Sequence, residues 1–289
     1  MKKNSFLPSK IGREKLKKEA RRMPGVAGFT KNEYLSEAGQ ILKRMQELLT
    51  HQNFWKQEEL FVDENVAGTR VHINVLQKDL QPHRKDGIYI WLEGEFYNQT
   101  EIRKKAENKP SSDLEILRAL YSESDNFSFL KKIEGIYAAV IYDSKGQKMH
   151  LISDRYGWRH LYWTIYKGCL VWSSELKVML ALPDFTPKID RLALEEFLAI
   201  RYFIGDRTWF EGVELLPAAT VLTWDIREKS ISKQRYWWWD EIEPVTGKID
   251  EREIAAELGR LFIDSVERRS AEAESVGLTL SGGLAPERF

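Results

Sequence analysis

One cysteine, Cys169, occurs in 289 residues. That excludes an internal disulfide and suits a reducing compartment, so a cytoplasmic location is expected. Charge imbalance is missing too: 44 Lys and Arg face 44 Asp and Glu. Without a net field the chain has no general pull toward nucleic acid or membrane, and neither is expected as a partner. Long apolar runs are absent, so no segment reads as a membrane-spanning helix. The five histidines, His51, His72, His83, His150 and His160, show no paired ligand spacing. No metal site is therefore expected, and each reads as a surface or core histidine. Aromatics, by contrast, are plentiful: ten Trp, eleven Tyr and thirteen Phe supply material for a large core.

Residues 1–22 form a basic extension in which nine Lys and Arg face only Glu14 and Glu19. No apolar segment follows, so it is not a secretory signal. It reads either as an arm touching phosphate or anionic lipid or as a solvated, partly helical extension; no aromatics are interleaved with its charges. Pro24 to Phe29 reads as a buried first strand, and 33–55 as a helix with Leu35, Ala38, Ile41, Leu42, Met45, Leu48 and Leu49 at helical spacing. Val71, Ile73 and Val75 alternate as in a half-buried strand. Ile88 to Leu92 reads as a strand closed by Glu93-Gly94-Glu95. Leu114 to Tyr121 reads as a helix capped by Ser111 or Ser112. From Tyr137 to Trp172, apolar runs separated by Asp143-Ser144-Lys145-Gly146, Tyr156-Gly157 and Lys167-Gly168 predict consecutive hairpins in antiparallel sheet. Helical stretches follow at 174–182 and 190–200, then a strand at Val221-Leu222-Thr223-Trp224. Asp240 to Lys248 reads as a linker, Ile254 to Val266 as an amphipathic helix, and Val276 to Leu280 as a strand entering Ser281-Gly282-Gly283.

Several motifs agree in order and spacing with one family. Met23-Pro24-Gly25-Val26-Ala27-Gly28 resembles its opening Met-Cys-Gly-Ile-Ala-Gly. Arg70-Val71-His72-Ile73, followed by Gln81-Pro82, resembles Arg-Leu-Ser-Ile with its downstream Gln-Pro. Glu93-Gly94-Glu95-Phe96-Tyr97-Asn98 resembles Asn-Gly-Glu-Ile-Tyr-Asn, and Ser112-Asp113-Leu114-Glu115 resembles Ser/Thr-Asp-Thr-Glu. Asp154-Arg155-Tyr156-Gly157 with Leu161-Tyr162-Trp163, and Ser173-Ser174-Glu175-Leu176-Lys177, complete the set. The chain thus resembles the asparagine synthetase family. That resemblance implies an α/β (α+β) fold: a four-layer α/β/β/α Ntn-hydrolase-like sandwich over 23–240, a class II amidotransferase-like domain. Residues 241–289 would be a linker and the truncated start of an α/β nucleotide-binding synthetase domain.

The family's glutaminase half uses the thiol of its first residue, with the α-amine as base. Pro24 occupies that position here and has no thiol. Cys169, in an apolar hairpin, reads as a small buried thiol and not as a substitute. Translation from Met23 would free a Pro24 secondary amine, a weaker alternative because the oxyanion position is altered as well. There the resemblance places an Asn amide and the following N–H; Gly94 is kept, but Glu93 replaces the Asn. An ionised carboxylate would repel an oxyanion. The groups that hold the amino acid are retained: Arg70 for the α-carboxylate, Glu95 and Asp113 for the α-ammonium. They read equally as a pocket for a free amino acid such as glutamine or as a structural ion-pair network.

In the family's pyrophosphatase half, ATP and magnesium meet a Ser-Gly-Gly-x-Asp-Ser loop. Ser281, Gly282 and Gly283 match, but Ala285 and Pro286 replace the Asp and second Ser. With only Glu287, Arg288 and Phe289 beyond, a phosphate-loop remnant without useful ATP affinity, and hence no cofactor for this chain, is the expectation. Trp237-Trp238-Trp239 reads as packing of the domain's last strand rather than a ligand box. Three functions stay open. One is a catalytically silent relative of the ATP-dependent amide-forming enzymes, close to the β-lactam synthetases or lasso-peptide cyclases that need no ammonia. Another is a glutaminase of unusual chemistry. The third is a non-catalytic module that binds an amino acid, a synthetase subunit or a second copy of itself.

Overall fold

The computed structural model describes residues 25–73, 78–105, 110–124, 126–244, 246, 250–271 and 277. The basic extension, Pro24 and the Ser281-Gly282-Gly283 remnant lie outside them, as does the strand expected at 276–280, save for Gly277. The described residues up to Trp239 form one compact unit, and those from Asp240 a second.

The first unit is built on two antiparallel sheets. One holds β1 (Gly25–Thr30), β2 (Lys56–Gln57), β3 (Phe61–Val62), β4 (Val66–His72), β9 (Tyr162–Tyr166), β10 (Cys169–Ser173) and β11 (Glu214–Leu215). Its order is β11-β9-β10-β1-β4-β2, with β3 also on β4. The other holds β5 (His83–Lys85), β6 (Ile88–Phe96), β7 (Gly135–Asp143), β8 (Lys148–Ser153), β12 (Thr220–Asp225) and β13 (Ser230–Arg235), in the order β13-β12-β8-β7-β6-β5.

Alternation along each strand sends side chains to opposite faces and so makes three core layers. In β1, Ala27 and Phe29 meet α1 (Ala38–Leu49) through Leu42, Met45 and Leu49. Val26 points the other way, into the layer between the sheets with Trp91, Val140, Leu151 and Trp172. The outer face of the second sheet packs Ile90, Leu92 and Ile141 against Leu114 and Leu117 of α3 (Asp113–Ser122). Helix, sheet, sheet and helix are thus stacked as the four-layer sandwich that the resemblance implies.

The inter-sheet layer depends on two glycines. Gly28 and Gly68 are cross-strand partners. A Cβ on Gly28 would lie 2.4 Å from Trp172 Cζ2, and one on Gly68 2.6 Å from Trp91 Cζ2. Their bare backbones make room for two buried indoles whose rings are 6.5 Å apart.

Several sequence expectations need adjustment. The helix foreseen over 33–55 is a short 3-10 turn, Glu33–Leu35, followed by α1, which ends at Leu49. Asn32 caps the turn through its side chain, and that local bond competes with a continuous helix. The strand foreseen over Val71, Ile73 and Val75 corresponds to β4, which starts at Val66, is buried throughout and ends at His72; Ile73 beyond it is exposed, and Val75 lies outside the described residues. The segment Glu93-Gly94-Glu95 does not close β6; the strand runs through it to Phe96, paired with Gly135. The hairpins expected between Tyr137 and Trp172 do not form one sheet: β7 and β8 belong to one, β9 and β10 to the other. Turn chemistry marks where a chain reverses but carries no information on which sheet it joins.

α3 begins as foreseen, with Ser112 Oγ accepting from Glu115 N. A short α2 (Gln99–Lys105) precedes it, and α4 (Arg191–Ile200) ends with Arg201 in the left-handed region. In the second unit, α5 (Glu251–Ser270) is capped by Asp250, whose side chain accepts from Arg252 N. Its Ile254, Leu258, Leu261, Phe262 and Val266 recur at helical spacing and are exposed. Among the described residues no helix is long and apolar enough to cross a membrane, and no group of three or more His, Cys, Asp or Glu is placed to hold a metal ion.

Candidate functional site

β1 and β4 place Arg70. It pairs across the sheet with Val26, two residues beyond Pro24 in the chain, so its side chain enters the layer between the sheets. The segment Ser174-Glu175 clamps the start of β1: Val26 N donates to Ser174 Oγ at 3.0 Å, and Ser174 N to Val26 O at 2.9 Å.

The buried Arg70 guanidinium meets a carboxylate already in the chain. Arg70 Nη1 donates to Glu58 Oε1 at 2.8 Å, and both side chains are almost wholly buried. The other Glu58 oxygen accepts from Gln81 N at 2.8 Å. Glu58 is held from behind as well, for its N–H donates to Arg70 O and its carbonyl accepts from Gln46 Nε2 of α1. Burial raises the Glu58 carboxyl above its ordinary range, with Arg70 pulling it back. His72 Nε2 lies 3.6 Å from the same Oε1. Burial, helped by Arg70 and Lys56, lowers His72 to about 4, so the imidazole is neutral at physiological pH. Gln81 ties this cluster to β6: Leu92 N donates to Gln81 Oε1 at 2.7 Å, and Gln81 Nε2 to Leu92 O at 3.1 Å.

The residue after Leu92 is Glu93, buried and facing Arg159, whose Nη1 is 3.5 Å from Glu93 Oε1. Burial pushes the Glu93 carboxyl up to about 7, while Arg159 and Arg70 oppose the rise. It is therefore not the simple anion that the sequence suggests, but an acid divided between neutral and charged forms near neutrality. Arg159 is delivered by a tight loop around the buried Asp154. Asp154 Oδ2 accepts from Tyr137 N and Arg159 N, both at 3.2 Å, and Oδ1 from Tyr156 N at 2.9 Å.

Gly94 adopts φ +117. A Cβ there would stand 2.0 Å from Ile136 O and 2.7 Å from Tyr137 Cα, so the β6–β7 pairing demands glycine whatever the chemistry. Glu95 follows, partly buried. Asp113, first residue of α3 and buried, accepts from Phe96 N through Oδ2 at 3.1 Å. It ties the helix start to the end of β6.

The structure therefore brings Arg70, Glu93, Gly94 and Asp113 onto β4, β6 and the adjoining helix start. It excludes Cys169. In register, β10 pairs Phe29 with Val171 and Ala27 with Ser173, which puts Cys169 toward the opposite end of β1 from Val26 and Arg70. Its side chain faces the α1 layer, not the layer between the sheets, and burial raises the thiol to about 11. Two charged neighbours of these residues escaped the sequence, Glu58 and Arg159. Glu58 carries no local signal, being 12 residues from its partner. Arg159 lies between two quoted motifs, Asp154 to Gly157 and Leu161 to Trp163, where a second arginine beside Arg155 was the available cue.

Comparison with known proteins gives the family. Residues 23–237 match a family model described as a glutamine amidotransferase domain. The chain belongs to that family, and within it resembles asparagine synthetases. It is 28% identical over 214 residues to a putative glutamine-hydrolysing asparagine synthetase 2 of Methanocaldococcus jannaschii, covering 73% of this chain and 41% of that protein. It is 27% identical over 262 residues to a glutamine-hydrolysing asparagine synthetase 2 of Bacillus subtilis, covering 84% of this chain and 34% of that one. The chain thus spans less than half the length of these relatives. Among solved structures, the glutamine phosphoribosylpyrophosphate amidotransferase of B. subtilis, complexed with ADP and GMP, aligns with a TM-score of 0.47 at 16% identity, covering 74% of this chain and 49% of that chain.

Proposed function

We propose that this domain is a non-hydrolysing amidotransferase fold of an asparagine synthetase-related, ATP-dependent amide-forming protein. The amine used by such a protein would come from its substrate or from another source, as in the β-lactam synthetase and lasso-peptide cyclase branch, and not from glutamine cleaved in this domain. The observation that carries the reading is Glu93 against Arg159. A buried acid with its own cationic partner occupies the position where the family resemblance calls for an amide donor to an oxyanion. Pro24 at the nucleophile position supports the same reading from the sequence.

The retained Arg70, Gly94 and Asp113 each have a structural task in the fold, which favours the ion-pair network over an open amino-acid pocket. Arg70 is paired with Glu58, Gly94 permits the β6–β7 pairing, and Asp113 fixes the start of α3. The residues that resemble the family's ATP and magnesium loop, Ser281, Gly282 and Gly283, lie outside the described residues.

The test is ammonia release from L-glutamine by the purified chain. The expected result is no release above that of buffer. Sustained release that Arg70→Ala abolishes would overturn the proposal and favour a glutaminase of unusual chemistry.

A further inference from the structure

We propose that Glu58 is a specificity-determining residue of the Arg70 site: a built-in carboxylate that occupies the place of a ligand carboxylate and keeps free amino acids out. The inference deepens the reading of Arg70 as part of an ion-pair network, and rests on it.

The geometry is that of an occupied site. One Glu58 oxygen takes a guanidinium N–H at 2.8 Å, and the other takes a backbone N–H, from Gln81, at 2.8 Å. A ligand carboxylate recognised by an arginine and a main-chain donor would use both of its oxygens in the same way. The occupant is tethered, not mobile. Its backbone is bonded to Arg70 O on one side and to Gln46 of α1 on the other. Gln46 Nε2 also donates to Thr69 Oγ1 at 2.8 Å, so the strand bearing Arg70 and the segment bearing Glu58 share one anchor. A tethered group held in place competes at a high effective concentration, and a free carboxylate at cellular levels would not displace it.

Charge points the same way. Burying the Arg70 guanidinium requires an anion, because an uncompensated buried charge is costly. His72 is neutral and cannot add to the positive charge at physiological pH. Glu58 supplies the compensating charge. Remove it, and the same donors, Arg70 Nη1 and Gln81 N, are left facing a space sized for a carboxylate. The chemical class that would enter is a small carboxylate, either a simple one such as acetate or the α-carboxylate of an amino acid.

The experiment is thermal unfolding of the full chain as wild type, Glu58→Ala and the double variant Glu58→Ala, Arg70→Met. Each is titrated with acetate, L-glutamine and, at matched ionic strength, chloride. Glu58→Ala should unfold at a lower temperature than wild type and recover by several degrees, saturably, with a carboxylate but not with chloride. Wild type and the double variant should show no saturable response. A larger recovery with glutamine than with acetate assigns the site to amino acids; an equal one assigns it to carboxylates in general.

The inference is overturned if Glu58→Ala responds no more than wild type, or if the double variant responds equally. It is also overturned if wild type binds glutamine through Arg70. Should Glu58→Ala fail to fold, Glu58→Gln keeps the side-chain volume and an acceptor for Gln81 N while removing the carboxylate charge beside Arg70; the same titrations apply. Should neither variant fold, refolding in acetate or glutamine supports the proposal, and no recovery in either overturns it. Glutamine turnover by wild type is a separate outcome: it would remove the non-hydrolysing reading, whereas absent carboxylate recovery without turnover removes only the role given to Glu58.

Discussion

Arg159 Nη1 stands 3.5 Å from Glu93 Oε1, and the loop that puts it there is nailed down by Asp154, which accepts from Arg159 N. The pair joins β6 to the turn after β8 inside the layer between the two sheets. Glu93 makes the stability of the fold depend on pH in a way that can be read out. Glu93 titrates near 7 in the folded protein and near 4.5 when unfolded. Between these values the folded state holds the extra proton, so this group's contribution is fully present below pH 4.5 and is lost as pH rises through 7. The full effect is on the order of 3 kcal/mol. Glu93→Gln should remove that component. Denaturant unfolding at intervals from pH 4.5 to 8 should show a stability difference, Glu93→Gln minus wild type, that grows with pH; a constant difference would contradict the assignment.

Arg159 should act in the opposite sense. Replacing it by Met keeps much of the apolar stem and removes the charge that favours ionised Glu93. The carboxyl should then move above 7, and the loss of stability should be larger at pH 8 than at pH 5. Breaking a buried pair costs about 3–5 kcal/mol when the remaining charge cannot neutralise. Here Glu93 can take a proton, so the loss at pH 5 should be the smaller. In the double variant Glu93→Gln, Arg159→Met the pH dependence of the Arg159 effect should vanish, which a double-mutant cycle at the two pH values would measure.

Gly94→Ala should be among the most damaging substitutions in the domain. Its cost is steric and conformational together: φ +117 disfavours any side chain, and the new methyl would fall 2.0 Å from Ile136 O. A loss of several kcal/mol, or failure to fold, is expected. The comparison with Gly39→Ala is informative, because nothing lies within 4 Å of a Cβ at that helix position. There Ala should be neutral or stabilising by up to about 1 kcal/mol. Circular dichroism melts of the two variants would separate a backbone requirement at Gly94 from general sensitivity to added methyls.

Most of the individual strands, turns and helix starts were legible in the sequence because their signals are local, whereas the sandwich they build was implied by the family resemblance. Ser112 three residues before Glu115 marks a helix start, and the Asp143 to Gly146 turn joins two apolar runs. The Arg70, Gly94 and Asp113 positions were legible for a different reason, as members of short motifs whose order matches a family. What stayed hidden was pairing at a distance. No periodicity links Glu58 to Arg70 or Glu93 to Arg159, because each contact is made by the stacking of separate strands. Glu93 shows the cost of this. Read from the sequence it is a bare anion, whereas burial and two guanidiniums set its charge in the fold. Glu93-Gly94-Glu95 likewise looks like a strand end on composition, yet cross-strand bonds to β7 carry the strand through it.

Cys169 should be inert in the folded chain. It is 1% exposed and its thiol is raised to about 11, so the reactive thiolate is scarce at pH 8. A thiol-reactive disulfide reagent should label it only as fast as the domain opens. Labelling should become immediate in denaturant. Cys169→Ala should leave the glutamine assay unchanged, since the residue faces α1 on the other side of the sheet from Arg70. Rapid labelling of the native protein would contradict the burial on which its exclusion from the site rests.

His150, like His72, limits stability in acid. It is buried on β8 between two hydroxyls: Nε2 is 3.0 Å from Tyr121 Oη, and Nδ1 is 2.9 Å from Thr223 Oγ1. Burial lowers it to about 4; Asp143 opposes the shift and Lys148 adds to it. The unfolded imidazole takes a proton near 6.5, whereas the folded one resists until about 4. Stability from this group is therefore complete above pH 6.5 and drains away as pH falls toward 4, by on the order of 3 kcal/mol. That slope runs against the one from Glu93 across pH 4.5–6.5, so the wild-type profile there should be flatter than either group alone would make it. His150→Gln keeps hydrogen-bonding capacity without a titrating proton. Its stability relative to wild type should rise as pH falls from 6.5 to 4, while the profile above pH 7 keeps the wild-type shape. Parallel curves down to pH 4 would mean that His150 is protonated in the folded state, and the two hydroxyls would then be accepting from an imidazolium instead of sharing a neutral ring.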